Sequence, residues 1–314
     1  MGVLLLVNGG FMLVSSLISL LSNDGFVKEI TTSSFIVLLI GVVFLFFGRR
    51  YEKQIQKREG YLIVTLGWIL MALTGTIPYI MTGVIPQFTS SFFETMSGYT
   101  TTGATIIDKL DSLPNGILFW RTTTHWIGGM GIIVLAIAIL PFLGIGGTQL
   151  FSAEAPGPAS DKLHPRITDT AKRLWLIYLT YTIVQTILLY SAGMTIFDAV
   201  NHAMSTISTG GFSTKSESIA FWNDKPLIQY IIIIFMFLAG TNFVLSYFAF
   251  TKKFQKIFQD EEFKLYSRFI IFFSLLVIIF ILLSQNIHSD SILNIIEPTI
   301  RNAIFLSLIH ISEP

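Results

Sequence analysis

Ser97-Gly98-Tyr99-Thr100-Thr101-Thr102-Gly103-Ala104-Thr105 and Ser205-Thr206-Ile207-Ser208-Thr209-Gly210-Gly211-Phe212-Ser213-Thr214 are one kind of segment written twice. Each is rich in Thr and Ser and carries glycine. Each follows a short helix-like stretch and lies between two long apolar runs. A backbone that turns its carbonyls toward a dehydrated cation needs small residues, a glycine, and burial at membrane depth. The pair therefore points to an ion pathway with a selectivity filter of the potassium type. Thr/Gly clusters also serve as helix-packing surfaces or plain loops. Two of them, at matched places in matched units, weigh against that plainer reading.

The surrounding composition is that of a membrane protein. Only 12% of the 314 residues are charged, against about 25% in soluble domains. The net charge of +1 gives no basis for nucleic-acid binding, and the absence of cysteine excludes disulfides and thiolate metal sites. Apolar runs that approach the roughly 20 residues needed to cross a bilayer occur at Val3–Leu21, Ser34–Phe47, Tyr61–Met81, Ile117–Leu140, Leu174–Ala192, Leu227–Phe250 and Phe269–Leu283. The second and last are short and should borrow flanking residues. The first lacks a basic leader and a small-x-small cleavage site, so it reads as a retained helix. With the N-terminus cytoplasmic, fourteen of the twenty Lys and Arg fall on the inner side. Lys28, Lys109, Arg121, Lys215, Lys225 and Arg301 fall on the outer side. The positive-inside rule supports that orientation.

The chain then divides as follows. Residues 1–59 form a leading helix pair with a basic loop. Residues 60–142 form a helix–pore-loop–helix unit, 143–172 a cytoplasmic loop, and 173–251 a second such unit. Residues 252–305 begin a third unit, and 306–314 form a tail. Aligning Gly103 with Gly210 sets Phe92–Thr100 opposite Ala199–Ile207 and Glu94 opposite Asn201. Repeats of this kind imply pseudosymmetry, with the functional site where the repeats meet. A pore helix running inward aims its partly negative C-terminus at the pathway, which favours a cation. The fold class is an all-α polytopic membrane protein of repeated helix–pore-loop–helix units of the K⁺-channel type.

Several longer stretches carry a family resemblance: Phe93-Glu94-Thr95-Met96-Ser97-Gly98-Tyr99 running into the first filter, Arg121-Thr122-Thr123-Thr124-His125-Trp126-Ile127-Gly128-Gly129-Met130-Gly131, Ala153-Glu154-Ala155-Pro156-Gly157-Pro158 with Asp161-Lys162-Leu163 and Pro165-Arg166-Ile167, and the second filter itself. Together they resemble the TrkH/KtrB family of potassium-transport subunits, from the first helix to about Phe305. The resemblance implies four such units arranged pseudo-four-fold around one pore, each contributing a filter strand. Carried over to this chain, the filter residues are Thr101, Thr102, Gly103, Ala104 and Thr105, with Ser208, Thr209, Gly210, Gly211 and Phe212. K⁺, the transported ion, would be held at Thr101, Thr102, Gly103, Ser208, Thr209 and Gly210. The resemblance also implies a homodimer in the bacterial cytoplasmic (inner) membrane and a cytosolic nucleotide-binding regulatory ring of TrkA/KtrA type as partner. The function it implies is potassium uptake as the ion-translocating subunit of a Trk/Ktr system. The alternative is a non-conducting scaffold for that ring.

The chain departs from the family pattern at its end. Glu297–Phe305 looks like the start of a third pore helix, but Leu306–Pro314 supplies no Thr/Gly filter. These last residues are expected to be foreign to the family sequence, and the chain to be the first part of a full-length subunit. No nucleophile–base set, Walker motif or Rossmann fingerprint is present. No enzyme activity is expected, and nucleotide control would come through the partner. The tryptophans read as an interface belt, Gly128, Gly129 and Gly131 as close-packing positions, and His125 and His202 as structural hydrogen-bonding groups. Asp108, Asp111 and Glu217 read as outer-mouth or solvated acids.

Overall fold

In the computed structural model, residues 1–48, 57–129, 131, 167–284 and 292–312 are described, and every regular element among them is helical. The chain opens with an antiparallel pair, α1 (Gly2–Ser22) and α2 (Val27–Gly48). Asn23 ends α1 in the left-handed conformation, φ 51°. The Asp24 carboxylate then gathers the turn: it accepts from the Ser19 hydroxyl, from the Phe26 amide at 3.2 Å and from the Gly116 amide at 2.9 Å. That last bond ties the leading pair to the first unit. Both helices reach membrane length, and α2 does so by borrowing Val27–Ser33, as its short apolar run requires.

The first unit follows: α3 (Lys57–Gly75), α4 (Ile77–Met81), the short α5 (Phe88–Tyr99) and α6 (Asn115–Gly129). The single span read at Tyr61–Met81 is interrupted at Thr76. Pro78 causes the break, because it has no N–H to donate and its ring crowds the carbonyl four residues back. The Gly75 carbonyl at the break accepts from the Trp120 indole at 3.1 Å. The second unit repeats the plan with α7 (Ile167–Ser191), α8 (Ile196–Ile207), α9 (Pro226–Ala239) and α10 (Phe243–Phe250). Here too the single span read at Leu227–Phe250 divides, at Gly240-Thr241-Asn242. The end of the Ile117–Leu140 run lies outside the described residues, as does most of the 143–172 loop. The chain continues through α11 (Phe254–Gln259), α12 (Glu261–Ser284) and α13 (Ile292–Ser312). The stretch read as the start of a third pore helix, Glu297–Phe305, sits inside α13, with Pro298 within the helix.

Helix α6 is the spine. Every residue from Gly116 to Gly128 is buried, and α1, α5 and α8 all pack on it. Lipid is as apolar as leucine, so helices at membrane depth are held by close packing and polar links rather than by a hydrophobic gradient. The polar links are specific. The amide of Asn8 in α1 donates to the Thr74 hydroxyl at 3.0 Å and its carbonyl accepts from the Tyr99 hydroxyl at 2.5 Å. Trp126 donates to Thr182 at 3.1 Å, joining α6 to α7. Trp120, Trp126 and Trp222 are buried, which corrects their reading as interface-belt residues. Their rings fill the space between helices, and two of their N–H groups have partners there. Arg121 and Arg301, counted above as outer charges, are also buried.

Candidate functional site

Helices α5 and α8 have 12 residues each, about 18 Å of helix. That is too short for a hydrocarbon core of about 30 Å, so each is a half-helix followed by non-helical backbone. The two end identically. In the first, the Thr100 amide bonds to the Met96 carbonyl, Thr101 to Gly98, and Thr102 to Ser97. In the second, Ser208 bonds to Met204, Thr209 to Thr206, and Gly210 to Ser205. This is a Schellman cap with its left-handed residue at Thr101, φ 55°, and at Thr209, φ 56°. A β-branched residue at positive φ is strained. Finding it at the end of both half-helices shows that the surrounding structure imposes this turn.

The matched bonds correct the sequence alignment by one residue. The repeat spacing is 108, so Gly103 corresponds to Gly211 and Thr102 to Gly210. The dihedrals agree: Gly103 has φ 75° and Gly211 φ 80°. Gly210 does not need positive φ. It is glycine because a side chain there would strike the His125 ring. The same spacing sets Glu94 opposite His202 instead of Asn201. Both of these side chains do one job. The Glu94 carboxylate accepts from the Thr105 hydroxyl at 2.9 Å, and a His202 ring nitrogen meets the Ser213 hydroxyl at 3.0 Å. Thr105 and Ser213 in turn accept from the amides of Ile107, at 3.1 Å, and Lys215, at 3.0 Å. Each half-helix thus fastens the strand that follows its own cap.

The two strands meet. A side chain on Gly103 would run into the Gly210 carbonyl oxygen. Thr102 and Gly103 share one cavity of about 260 Å³ with Thr209, Gly210, Gly211 and Phe212. Thr101, Ala104, Thr105 and Ser208 are not on that wall. The Ala104 carbonyl accepts from the Ser97 hydroxyl at 2.6 Å, and the Ser208 hydroxyl bonds to the Ser205 carbonyl at 3.0 Å. Among the described residues no cluster of three or more His, Cys, Asp or Glu could hold a metal. Backbone carbonyls and hydroxyls are therefore the donors on offer, which suits an alkali cation.

Arg121 joins the two strands, and the sequence reading passed over it. Its Nε donates to Glu94 at 2.7 Å and another guanidinium nitrogen donates to the Ser213 carbonyl at 3.1 Å. Its guanidinium carbon stands 3.5 Å over the centre of the Phe212 ring, and the His125 ring stacks on Phe212 at 3.6 Å. Two groups this close to one ring centre cannot share a face, so Phe212 is held between them. The available signal was an arginine inside an apolar run, which at membrane depth calls for an acidic partner. His202 has the hydrogen bonds expected of it; His125 packs by stacking. The close-packing reading of Gly128 and Gly129 is specific in the structure: Gly128 lies against the Tyr99 carbonyl and Gly129 against Ser208. Those are the two ends of the pore helices.

Two half-helices, each ending on a glycine-bearing segment and the two segments meeting at one cavity, define a pore-loop membrane protein. The chain belongs to the family described as "TrkH: Cation transport protein", whose model matches residues 27–305. The Trk system potassium uptake protein TrkH of Escherichia coli K12 is 42% identical over 298 residues, 94% of this chain and 61% of that protein. TrkI of Halomonas elongata, a protein of the same description, is 32% identical over 245 residues, covering 78% and 50%. The crystal structure of the potassium transporter TrkH from Vibrio parahaemolyticus superposes with a TM-score of 0.81 at 36% identity, over 98% of this chain and 62% of that one. The chain spans between half and about three fifths of the length of these relatives.

Proposed function

We propose that this chain forms the first part of the ion-translocating subunit of a Trk-type potassium uptake system. The observation that carries the reading is the register: two filter strands with identical caps, 108 residues apart, meet at Gly103 and Gly210 on one cavity. K⁺ sheds its water there onto carbonyls and hydroxyls of Thr102, Gly103, Thr209 and Gly210, which line the cavity, with Thr101 and Ser208 just before them in the two caps completing the ion path. The C-terminal ends of α5 and α8 lead directly into these strands and add partial negative charge. The unit boundaries, the cytoplasmic N-terminus, the homodimer and the cytosolic ring of TrkA type belong to the same proposal. Moving Arg121 and Arg301 out of the count of outer charges strengthens the inside bias of Lys and Arg.

Uptake of Rb⁺ tests the reading. The full-length protein carrying these residues is expressed in cells that lack their own potassium uptake. Rb⁺ accumulation that excess K⁺ suppresses and Na⁺ does not is the expected result. Gly103→Ser is expected to lower the preference over Na⁺. Equal suppression by both ions in the unmodified protein, or no accumulation, sinks the proposal.

A further inference from the structure

We infer that Arg121 is a positioning residue for ion selectivity. Together with Glu94 it fixes the first two filter strands to each other, so that their carbonyls face the ion at one set distance. This inference rests on the potassium reading above. The geometry is a closed circuit. The Glu94 carboxylate holds the outgoing strand of the first filter through the Thr105 hydroxyl and the Ile106 amide, at 2.9 and 3.0 Å. The Arg121 guanidinium grips that carboxylate and, on another nitrogen, the Ser213 carbonyl of the second outgoing strand. Its flat face lies on Phe212, the residue after the Gly210-Gly211 pair. All the charge involved is buried: Arg121 is 1% exposed and Glu94 0%.

The bridge is particular to this junction. In the second unit the pore helix carries His202 where the first has Glu94. Counted from the helix starts, Asn115 in α6 and Pro226 in α9, the position of Arg121 falls on Ile232, within a run of isoleucines. The second unit fastens its own strand with neutral or local bonds, His202 to Ser213 and Thr214 to Asp198. The guanidinium hydrogen-bonds from one described unit to the strand of the other, and His125 adds packing against Gly210 and Phe212. A planar fork can bond two acceptors and stack on a ring at once, whereas an ammonium is a point donor. Carbonyls that drift by a fraction of an ångström lose the ability to distinguish K⁺ from the smaller Na⁺, whether discrimination is by cavity size or by the number of dipoles.

Arg121→Lys in the full-length protein is the first test. It keeps the charge beside Glu94 and gives up the second grip and the ring contact. The readout is the ratio of Rb⁺ to Na⁺ transport in proteoliposomes, at equal amounts of folded protein by gel filtration. The ratio is expected to fall about tenfold, equivalent to about 1.4 kcal/mol, with total cation flux retained. Thr105→Val is the second. It removes one bond of the circuit and leaves every charge in place, so it decides the matter if Arg121→Lys does not fold; a smaller fall in the same ratio is expected. Folded variants with the unmodified ratio overturn the inference and leave the potassium reading intact. An unmodified protein that moves no Rb⁺ overturns both.

Discussion

Thr101 and Thr209 hold the same left-handed turn, at φ 55° and 56°, in chemically different surroundings 108 positions apart. The turn converts a helix whose carbonyls all point along its axis into a strand whose carbonyls can face sideways. A pore needs that conversion at every filter. It is reached here through a cap that any helix could use, applied to a residue that resists it.

Glycine positions in the two strands are expected to differ in tolerance. Gly103→Ala meets both positive φ and the Gly210 carbonyl, and Gly210→Ala meets the His125 ring. Gly211 has positive φ with open space around it. Gly211→Asn should therefore cost about 1 kcal/mol or less, since Asn tolerates this region, while the other two reduce folded yield and Rb⁺ uptake severely. Uptake and folded yield measured side by side for the three variants check the order.

Breaking the buried ion pair on one side leaves a lone charge. Arg121→Met is expected to destabilise the protein by about 3–5 kcal/mol. Adding Glu94→Gln to it should restore part of that loss, because no uncompensated charge remains. Thermal unfolding of the detergent-solubilised single and double variants tests this. A double variant no more stable than Arg121→Met would contradict it.

Trp120→Phe keeps the ring and deletes the N–H that meets the Gly75 carbonyl. Interhelical hydrogen bonds at membrane depth contribute about 0.6–1.7 kcal/mol, so a loss in that range is expected. The effect should persist in a Pro78→Ala background, because the new amide pairs with the Thr74 carbonyl four residues back and leaves the Gly75 carbonyl to Trp120. A thermal-shift double-mutant cycle reads the coupling.

The loops that precede α6 and α9 are clasped by Asp111 and Ser216. The Leu110 amide donates to the Ser216 hydroxyl at 3.0 Å, and the Ser216 amide donates to Asp111 at 3.2 Å. The Ser216 side chain, then its amide and the Lys215 charge, hold the Asp111 carboxyl below the usual carboxylate range, against a little burial. A depressed folded-state value means stability that is complete above the unfolded value of about 3.9. It is lost as pH falls through the lower folded value. Asp111→Asn should flatten that acid limb by lowering stability at neutral pH slightly, with little change at about pH 2. Melting midpoints from about pH 6 to pH 2 check it.

The fold was legible because membrane depth leaves few alternatives. Long apolar runs must be helices, and small polar residues with glycine between them must be backbone that serves a purpose. The register was less legible. Matching letters pair Gly103 with Gly210, but one is glycine for its dihedral and the other for the room a neighbouring ring takes. A sequence records the residue and not which of these constraints selected it. The helix breaks were half-legible: Pro78 announces its own, whereas nothing in Gly240-Thr241-Asn242 dictates a stop on its face. The Arg121 circuit was hidden for a different reason. Its partners Glu94 and Ser213 lie 27 and 92 residues away, and only the packing of α5, α6 and the second strand brings them together.

Asn8 has a consequence for how the chain enters the membrane. It is made before its partners Thr74 and Tyr99, which follow 66 and 91 residues later. Until they arrive, its amide must shelter at the insertion machinery or against water. The first helix is thereby kept from diffusing away as an independent anchor. The leading helices are bound in order of synthesis to the pore they precede, and a chain stalled before Tyr99 would present an unsatisfied amide by which quality control could recognise it.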